Sequence, residues 1–319
     1  MSLLPPQGVE LRHLHYFLAV VEELHFGHAA ERVHISQPPL SQAIQTLERQ
    51  VGVQLLRRTS RVVEPTEAGL AFAEHARRTL ASAGAALEAA REAGGAEWTL
   101  RIGVSPYVPS GVLQGLLDGL RKRETASRVT FTDVAVGEQV KRLRDGELHI
   151  GVFADAGGYH GLESEPLEPA EEVRAFVTGG HPLLKKKALT PDDVKGETLL
   201  TLPPAADPEL HDLLLERMRT AGYAFAETRE ASGHLPRDLL LGVACGHGIA
   251  VAAASTAHVC DAGTLVEERP LSSPPLLPDI VVAWQQDSLW HLRERLDEVR
   301  AVVRERWTAS TTGATGSPG

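Results

Sequence analysis

The sequence predicts an all-α N-terminal segment with a helix-turn-helix, then one long helix, then a C-terminal α/β domain. The first observation is that residues 10–66 contain three short runs in which apolar side chains recur at helical spacing. The second is that residues 67–93 are rich in alanine, glutamate and arginine and contain no proline. The third is that residues 97–305 alternate strand-like and helical runs. A length of 319 residues accommodates two or three domains.

The composition is that of a globular protein and excludes several classes. Hydrophobic residues make up 43% of the chain and charged residues 23%, which is too apolar for a disordered protein. No apolar run approaches the roughly 20 residues that span a bilayer. Residues 1–9, which we expect to be flexible, lack the basic and apolar regions of a secretory signal. These features predict a cytoplasmic protein with no membrane partner.

Three helices are predicted in the N-terminal segment. The first covers Leu11–Glu23, and the second is the short run 27–33. The third begins after Ser36, which suits an N-cap, and runs to about residue 50. Its apolar residues are spaced four, three and four positions apart, so they share one face that must pack inwards. They are Leu40, Ile44, Leu47 and Val51.

The opposite face of the third helix is polar and carries Gln42, Gln45 and Arg49, with Gln37 and Ser41 at its flanks. Glutamine and arginine can make paired hydrogen bonds to adenine and guanine edges. A short helix, a tight turn and a polar-faced second helix form the helix-turn-helix of DNA-binding proteins. The pattern therefore predicts contact with DNA bases, and the alternative is that these residues form an ordinary solvated surface.

A short hairpin is predicted over residues 55–63, and it carries Arg57, Arg58 and Arg61. A basic hairpin beside a recognition helix is placed to contact phosphates, although such a cluster can also be a solvated surface. Residues 1–66 hold six basic and six acidic side chains, so the rest of the chain carries the whole net charge of −10. A DNA-binding segment joined to an acidic domain would have this distribution of charge.

The long helix over residues 67–93 carries a repeat of small apolar residues separated by alternating steps of three and four. The members of the repeat are Ala73, Ala76, Leu80, Ala83, Leu87 and Ala90. This spacing is that of the seam of a coiled coil about three heptads long, and alanine allows two helices to approach closely. The seam predicts a dimer interface, and the alternative is a single amphipathic helix that packs on its own domain.

Alternating strands and helices after residue 97 predict parallel sheets in an α/β fold. The predicted strands are 99–104, 128–133, 149–153, 173–178, 198–202, 226–230, 248–252 and 280–284. The predicted helices are 111–123, 138–145, 208–221, 236–245 and 289–306. Ligands of such folds bind beyond the carboxyl ends of the strands. Ser105-Pro106 follows the first strand of this domain, so it could hold an anion or form a simple helix cap.

Residues 11–69 resemble the DNA-binding domain of LysR-type regulators. The matching residues are Phe17, Val20, Glu22, Phe26, Ala29, Ala30, Ser36, Gln37, Pro38, Pro39, Leu40, Ser41, Ile44, Leu47, Glu48, Gly52, Leu55, Arg58, Thr66 and Gly69. The second half is similar to the effector domain of the same family at Leu100–Val104 and at residues 143–148, 181–183 and 246–250. The resemblance therefore covers nearly the whole chain.

The resemblance implies a winged helix-turn-helix over residues 10–66, a dimerising linker helix over 67–94 and an effector domain over 95–306. It implies that the effector domain consists of two Rossmann-like lobes, as in periplasmic binding proteins. The first lobe would cover about 97–166 and 271–306, and the second about 167–270. Residues 307–319 are almost all Thr, Gly, Ser, Pro or Ala, so we expect a disordered tail.

LysR-type regulators act as dimers or tetramers on imperfect inverted repeats of double-stranded DNA and control the access of RNA polymerase. The DNA-binding residues that the resemblance implies, together with those of the polar helix face and hairpin, are His28, Gln37, Pro38, Pro39, Ser41, Gln42, Gln45, Arg49, Arg57, Arg58 and Arg61. The residues implied to line the effector cleft are Ser105, Pro106, Tyr107, Val136, Gly137, Phe153, Pro203, Pro204, Gly233 and His234. The expected effector is a small molecule, such as an aromatic or other small carboxylate, with no cofactor and no metal.

One departure and two competing classes complete the interpretation. Position 42 is Gln where many LysR-type regulators have Arg, which puts an arginine contact at this position in doubt. An enzyme is disfavoured because the sequence has no Gly-x-Gly-x-x-Gly, no Walker loop and no Gly-x-Ser-x-Gly. A solute-binding protein would share the two lobes but not the helix-turn-helix. Retention on DNA distinguishes a regulator from both.

Overall fold

A computed structural model describes residues 8–58, 63–94, 99–123, 129–157, 159, 161–258, 265–285 and 293–314. The chain divides into two compact units near residue 96. Most of the predicted flexible N-terminus, residues 1–7, lies outside the described ranges. Within those ranges, no helix is both long and apolar enough to cross a membrane.

The N-terminal unit contains three short helices, a hairpin and a long helix. Their ranges are α1 Leu11–Glu23, α2 Phe26–Arg32, α3 Gln37–Val51, β1 Leu56–Arg58, β2 Val63–Pro65 and α4 Glu67–Ala93. The prediction of α1 is confirmed at both ends, and those of α2, α3 and α4 are confirmed to within one residue. The helix-turn-helix pattern of the sequence is therefore present.

Apolar side chains from all of these helices form one core. Phe17, Leu40 and Ile44 are completely buried, and Phe17 packs edge-on against Phe72 of α4 with ring centres 5.3 Å apart. Full burial of one such side chain stabilises a fold by roughly 1.5–3 kcal/mol. The helix α4 approaches β1 closely at Gly69, where an added Cβ would lie 2.0 Å from the Leu55 carbonyl oxygen.

The hairpin differs from its prediction. Its strands pair antiparallel with Arg57 opposite Glu64 and Arg58 opposite Val63, so the second strand begins where the predicted hairpin ends. Pro65 closes the second strand, and a proline is tolerated in an edge strand because its missing N–H leaves no ladder hydrogen bond unmade. The predicted end at residue 63 was therefore too early.

The C-terminal unit alternates strands and helices. The described strands are β3 Leu100–Val104, β4 Val129–Asp133, β5 Ile150–Ala154, β6 Glu163–Glu168, β7 Val173–Thr178, β8 Thr198–Thr201, β9 Glu227–Glu230, β10 Ile249–Ala253, β11 Val266–Pro270 and β12 Ile280–Trp284. The described helices are α5 Ser110–Lys122, α6 Val136–Arg144, α7 Pro191–Val194, α8 Pro208–Thr220, α9 Pro236–Ala244 and α10 Arg293–Ala314. Every predicted strand of this unit is confirmed to within one residue at each end.

Two five-stranded sheets organise this unit into two lobes. The sheet of lobe I has the order β4-β3-β5-β12-β6, and the sheet of lobe II has the order β11-β7-β10-β8-β9. In lobe I, apolar residues of α5 and α10, among them Leu116 and Val299, pack on the sheet. In lobe II, Tyr223 is buried in the core, and its hydroxyl donates to the Leu189 carbonyl oxygen at 3.0 Å.

The sheets are mixed, whereas the sequence predicted parallel ones. The strands β3, β4 and β5 pair in parallel, but β12 runs antiparallel to both β5 and β6. In lobe II, β7 is antiparallel to β10 and β11. The prediction missed β6 and β11 because each is an edge strand with one fully buried side chain, Leu167 and Val266 respectively, among mostly charged residues. Such a segment has no continuous apolar run of the kind that marks a central strand.

Two neighbouring crossing segments, residues 169–172 and 275–279, connect the lobes. They are hydrogen-bonded to each other: the Leu277 N–H donates to the Glu171 carbonyl at 2.7 Å, and the Val173 N–H donates to the Pro275 carbonyl at 2.9 Å. The Ala170 N–H also donates to the Asp279 carboxylate at 2.8 Å. The two crossings therefore form one short ribbon between the lobes.

The C-terminal tail was predicted to be disordered from residue 307, but α10 continues to Ala314. Its polar residues support this extension. The hydroxyls of Thr308 and Thr311 donate to the carbonyls of Arg304 and Trp307, and the hydroxyl of Ser310 donates to the carboxylate of Glu168 at 3.0 Å. The prediction failed because composition does not reveal that these hydroxyls find partners within the helix and on β6. Residues 315–319 lie outside the described residues.

Candidate functional site

The polar face of α3 is open to solvent. Gln37, Gln42, Gln45 and Arg49 are all exposed. On the opposite face Leu40, Ile44 and Leu47 are completely buried and Val51 is half-buried. Within the described residues, the three glutamine amides make no hydrogen bond. Arg49 donates to the Thr46 hydroxyl at 2.9 Å. Free amides on a rigid helix have their donor and acceptor groups available for base edges.

The first turn of α3 follows the predicted pattern with one difference. Ser36 occupies the N-cap position with φ −80° and ψ 155°, and Pro38 and Pro39 stand in the first turn. Both prolines are exposed, and Ser41 is half-buried. The Ser36 side chain, however, makes no capping hydrogen bond. This leaves the positive end of the helix dipole without a side-chain cap, which favours an approaching anion such as a phosphate.

Arg58 makes an ion pair within its own unit. Its guanidinium donates to the Glu48 carboxylate at 2.9 Å and lies 4.8 Å from the centre of the Phe26 ring. The other oxygen of Glu48 accepts the N–H groups of Leu55 and Leu56, both at 3.0 Å. Arg58 thus connects the hairpin to α2 and α3, and its contact with a phosphate stays a prediction.

Arg57 is the described arginine of the hairpin that is exposed. Side chains alternate between the faces of a strand, so Arg57 points away from the side on which its neighbour Arg58 meets Glu48. It is therefore the residue of β1 that can reach a phosphate. The third predicted arginine, Arg61, lies outside the described residues.

His28 is exposed in the first turn of α2, next to a structural histidine. The Nδ1 atom of His25 accepts the N–H groups of Gly27 and His28, at 3.1 and 3.3 Å, and so caps this helix. The two imidazole rings stack with centres 4.4 Å apart. Because the backbone of His28 rather than its ring is used in the cap, the ring is accessible, and its contact with DNA stays a prediction.

The predicted dimer seam of α4 divides into two parts. Ala73 and Ala76 are each 2% exposed and belong to the core of their own unit, so they are not available to a second subunit. Leu80 and Ala83 are half-buried, whereas Leu87 is 61% exposed and Ala90 is also exposed. The heptad spacing could not distinguish these parts, because the same stripe of the helix continues from the residues that form the core of the unit to the exposed residues that could contact a second subunit.

A cavity of about 110 Å³ lies between the two lobes. Its walls come from the carboxyl ends of β3, β5 and β8, from α8 and α9, and from both crossing segments. The lining residues are mainly apolar: Pro106, Tyr107, Val108, Ala154, Thr201, Leu202, Leu210, His211, Leu214, Leu239, Val251, Leu277 and Ile280 are among them. A concave, mostly apolar site with a few polar groups is typical of small-molecule binding.

Two of the predicted cleft residues, Pro106 and Tyr107, line this cavity. Ser105 is 1% exposed; its N–H donates to the Val152 carbonyl at 2.9 Å and its hydroxyl accepts the Tyr107 N–H at 3.3 Å. These bonds favour a turn-forming role for Ser105 over the anion site. Phe153 lines a separate small cavity together with Tyr159.

The remaining predicted cleft residues are not among the described lining residues of the cavity between the lobes. Val136 is completely buried in lobe I, and Gly137 follows it in the first turn of α6. Pro203 and Pro204 begin a short 3₁₀ turn, Gly233 lies against the Asp238 carboxylate, and His234 is exposed. Placement by family position was therefore too coarse to select the residues that form the walls.

Three buried polar side chains of this unit were missed by the sequence analysis. Asp207 caps α8, since its carboxylate accepts the Leu210 N–H at 3.1 Å. Within the described residues, its second oxygen is buried without a partner, as are the hydroxyl oxygens of Thr201 and Tyr159. Asp207-Pro208 is a recognisable helix start, but the approach of Tyr159 from lobe I depends on tertiary structure that spacing does not encode.

The electrostatics of the cleft are set by Asp207. Burial raises the pKa of its carboxyl to about 6, and the nearby charge of Glu209 adds to this effect. Burial also raises the pKa of Tyr107 and that of Tyr159, and the negative charge of Asp207 contributes in both cases. Asp207 belongs to lobe II and both tyrosines belong to lobe I.

Comparison with known protein families gives two matches that together span most of the chain. The family described as bacterial regulatory helix-turn-helix proteins of the LysR family matches residues 11–70. The LysR substrate binding domain matches residues 93–308. The division between the two matches falls on α4.

The chain is also similar to characterised proteins along most of its length. It is 32% identical to the HTH-type transcriptional regulator AlsR of Bacillus subtilis over 282 residues, which cover 88% of this chain and 91% of AlsR. It is 32% identical to the regulator BenM of Acinetobacter baylyi, in an alignment that covers 79% of this chain and 82% of BenM. Full-length OxyR of Pseudomonas aeruginosa aligns with a TM-score of 0.60 at 25% identity, covering 93% of this chain and 95% of OxyR. Full-length CbnR in complex with its target DNA aligns with a TM-score of 0.58 at 26% identity, and the alignment covers 93% of this chain and 100% of CbnR.

Proposed function

Because the chain belongs to the LysR family of bacterial transcriptional regulators and carries that family's DNA-binding and substrate-binding domains, we propose that two copies place their α3 helices in major grooves of an imperfect inverted repeat. The observation that carries the proposal is the polar face of α3, where three unbonded glutamine amides and Arg49 are exposed opposite a largely buried apolar face. Arg57 and the uncapped start of α3 would add contacts to phosphates.

The control of DNA binding is assigned to the cleft between the lobes. A small organic effector that binds one arrangement of the lobes more tightly than another shifts the population towards it. In our proposal this shift changes how the DNA-bound oligomer, a dimer or tetramer, permits access of RNA polymerase to the promoter. The protein would act by binding alone, without a catalysed reaction, in the cytoplasm where the chromosome lies.

The DNA-binding proposal is tested with the purified full-length protein and fluorescently labelled DNA from upstream of its own gene. We expect specific binding that Gln42→Ala weakens by about tenfold or more at the cognate site, since a paired amide contact to a base contributes roughly 1–3 kcal/mol. Affinity for unrelated DNA should not change, because Gln42 would read a base and not a phosphate. Fluorescence anisotropy across a salt series measures both affinities.

The matched control is Gln114→Ala, which removes an equally exposed glutamine from α5 in the other unit. It should bind both DNAs as the unaltered protein does. Failure of the folded protein to bind any DNA at low salt would refute the proposal and leave a ligand-binding module. Equal weakening on cognate and unrelated DNA would instead remove Gln42 from the base-reading residues.

A further inference from the structure

The walls of the cavity between the lobes carry few charges. Among the described residues that line it there is no lysine and no arginine. The imidazole of His211 lies 3.3 Å from the Asp212 carboxylate, so a positive charge on this ring already has a counter-ion. The carboxylate of Glu171 also lines the cavity and accepts the Ser255 N–H at 2.9 Å. An anionic ligand would therefore meet a negative charge and no unpaired cation among the described lining residues.

The loop that follows β3 offers an anion no backbone donor either. The carboxyl ends of strands and the starts of helices are where α/β folds commonly bind anions through N–H groups. Pro106 and Pro109 of this loop have no N–H. The N–H groups of Tyr107 and Val108 donate to the hydroxyl and the carbonyl oxygen of Ser105, at 3.3 and 2.9 Å. All four residues from 106 to 109 line the cavity, and none of them has a backbone N–H left for a ligand.

The two helices of lobe II that line the cavity begin in a similar way. At the start of α8, the Asp207 carboxylate accepts the Leu210 N–H at 3.1 Å. At the start of α9, the Asp238 carboxylate accepts the Leu235 N–H at 3.1 Å, next to Pro236. The positive end of each helix dipole therefore already faces a carboxylate of the chain itself, where an anionic ligand would otherwise bind.

One buried polar atom of the cavity wall has no partner. Thr201, at the end of β8, is 6% exposed, and its hydroxyl oxygen makes no hydrogen bond with any described residue. No other side-chain nitrogen or oxygen of the described lining residues is both buried and unpartnered. A hydroxyl can donate one hydrogen bond and accept others, and it is costly to leave one unpaired away from water. The wall thus offers a ligand one uncharged hydrogen-bonding position.

The surroundings of this hydroxyl are apolar and the space is small. Leu202, Leu239 and Ile280 line the cavity, and Tyr107 of lobe I packs on the apolar cluster of lobe II that includes Leu202 and Leu239. The cavity volume is about 110 Å³. Since an apolar cavity of about 150 Å³ holds one benzene molecule, this one suits a molecule of about five non-hydrogen atoms.

We propose that the effector is a small uncharged alcohol or ketone, whose oxygen forms a hydrogen bond with the Thr201 hydroxyl and whose carbon atoms contact the apolar walls. Burying a charged group among such walls without a partner costs far more than burying a neutral one. A molecule in this cavity touches both lobes, so its binding favours the arrangement in which they lie this close. The proposal rests on the proposed function, because it names the chemical class of the effector. An uncharged effector would differ from the small carboxylate expected from the sequence.

The test compares probes of equal size and different charge: butan-1-ol, butanone, propanoate and butan-1-amine. Each is titrated into the full-length protein at pH 7.5, and ligand-observed NMR, which detects weak binding, measures the affinity. Butan-1-ol and butanone should bind at least tenfold more tightly than propanoate and butan-1-amine, because the described walls offer neither ion a free partner. This ranking is measured on the unaltered protein, so it does not depend on the folding of any variant.

The role of Thr201 is tested with Thr201→Val, which removes the hydroxyl and keeps the shape of the side chain. This variant should bind butan-1-ol about two- to tenfold more weakly, because one hydrogen bond is lost. It should bind 1-chlorobutane, which has the same size and no hydroxyl, at least as tightly as the unaltered protein does. The matched control is Thr228→Val, which changes an exposed threonine of the neighbouring strand β9 and should leave both affinities as they are.

A second variant, Thr201→Ser, keeps the hydroxyl and should still bind butan-1-ol more tightly than 1-chlorobutane. Equal or tighter binding of propanoate or butan-1-amine, no binding of either uncharged oxygen compound, or an unchanged butan-1-ol affinity in Thr201→Val would overturn the proposal. The same preparations are tested for binding to the upstream DNA. Retained DNA binding with the opposite ranking of probes would overturn the effector class alone, whereas loss of all DNA binding would refute the regulator proposal.

Discussion

At the scale of single residues, the pair Arg57 and Arg58 shows how neighbours in one strand take different roles. Arg58 meets Glu48, which also accepts two backbone N–H groups, and the side chains of this pair are 24% and 16% exposed. Arg57 is exposed on the other side of the strand. A charged hydrogen bond that is largely shielded from water contributes roughly 1.5–3 kcal/mol, whereas an exposed phosphate-binding arginine contributes to affinity alone.

This contrast gives a paired prediction. Arg58→Ala should destabilise the hairpin by about 1–2 kcal/mol, because it leaves the shielded Glu48 carboxylate without its cation. Hydrogen exchange of peptides from α3 and β1, measured by mass spectrometry, should show correspondingly faster opening. Arg57→Ala should exchange like the unaltered protein but reduce the salt dependence of DNA binding by about one phosphate contact. The opposite pattern, with Arg58→Ala changing only the salt slope, would contradict the assignment.

Asp207 gives a second prediction at this scale. The pKa of Asp207 is about 6 in the folded chain, against an ordinary value of 3.8. Between these two pH values the folded state holds a proton that the unfolded state has released. Stability therefore falls as the pH rises from about 4 to 6 and stays lowered above it. At pH 7.5, Asp207→Asn should be more stable than the unaltered protein by about 1–2 kcal/mol and should therefore unfold at a higher temperature. At pH 4 the two proteins should be equally stable. Scanning calorimetry against pH checks this, with Glu216→Gln as the control, and a constant difference at both pH values would contradict it.

At the scale of elements, α4 shows one helix stripe with two uses. Its first half completes the core of the N-terminal unit through Ala73 and Ala76, while Leu87 stands 61% exposed further along. An exposed leucine in a run of alanines is suited to a narrow contact with a second helix.

We therefore expect Leu87→Glu to weaken self-association, because it would place a charge in the apolar contact between two α4 helices. Analytical ultracentrifugation should show a larger monomer fraction at the same concentration. Leu241→Glu, which changes a leucine that is 53% exposed on α9, should leave the distribution as it is. An unchanged oligomer in Leu87→Glu, or a monomer in both variants, would contradict a contact at this part of α4.

Elements also differ in how far their sequence reveals them. The helix α1 and the strands β7 and β12 were predicted to their last residue, because their apolar residues recur at helical spacing or form nearly continuous runs. The edge strands β6 and β11 were missed, since the partner strand rather than their own side chains fixes them in the sheet. The extension of α10 was missed for a related reason: Ser310 is held by Glu168, a residue 142 positions away.

At the scale of the whole molecule, the sequence predicted the order of domains and the polar face of α3, but little of the cleft. The face of α3 is a local property, since helical spacing alone places Gln42 opposite Ile44. The cleft is assembled from residues far apart in the chain, so the family resemblance placed Tyr107 in its wall but not Leu210 or Leu239. The ion pair of Arg58 was not predicted because its partner Glu48 comes from another element.

The paired crossing segments have a consequence for the connectivity of the C-terminal unit. The chain enters lobe I at β3, leaves it after β6, and returns to it for β12 and α10. Lobe II is therefore an insertion within lobe I, and both ends of the C-terminal unit lie in lobe I. A single protease cut in one crossing would leave a nicked unit whose halves stay joined through the other crossing. Because the two crossing segments lie side by side, bending at the ribbon can open or close the cleft. Sliding one lobe along the other would instead break the hydrogen bonds that hold the ribbon together.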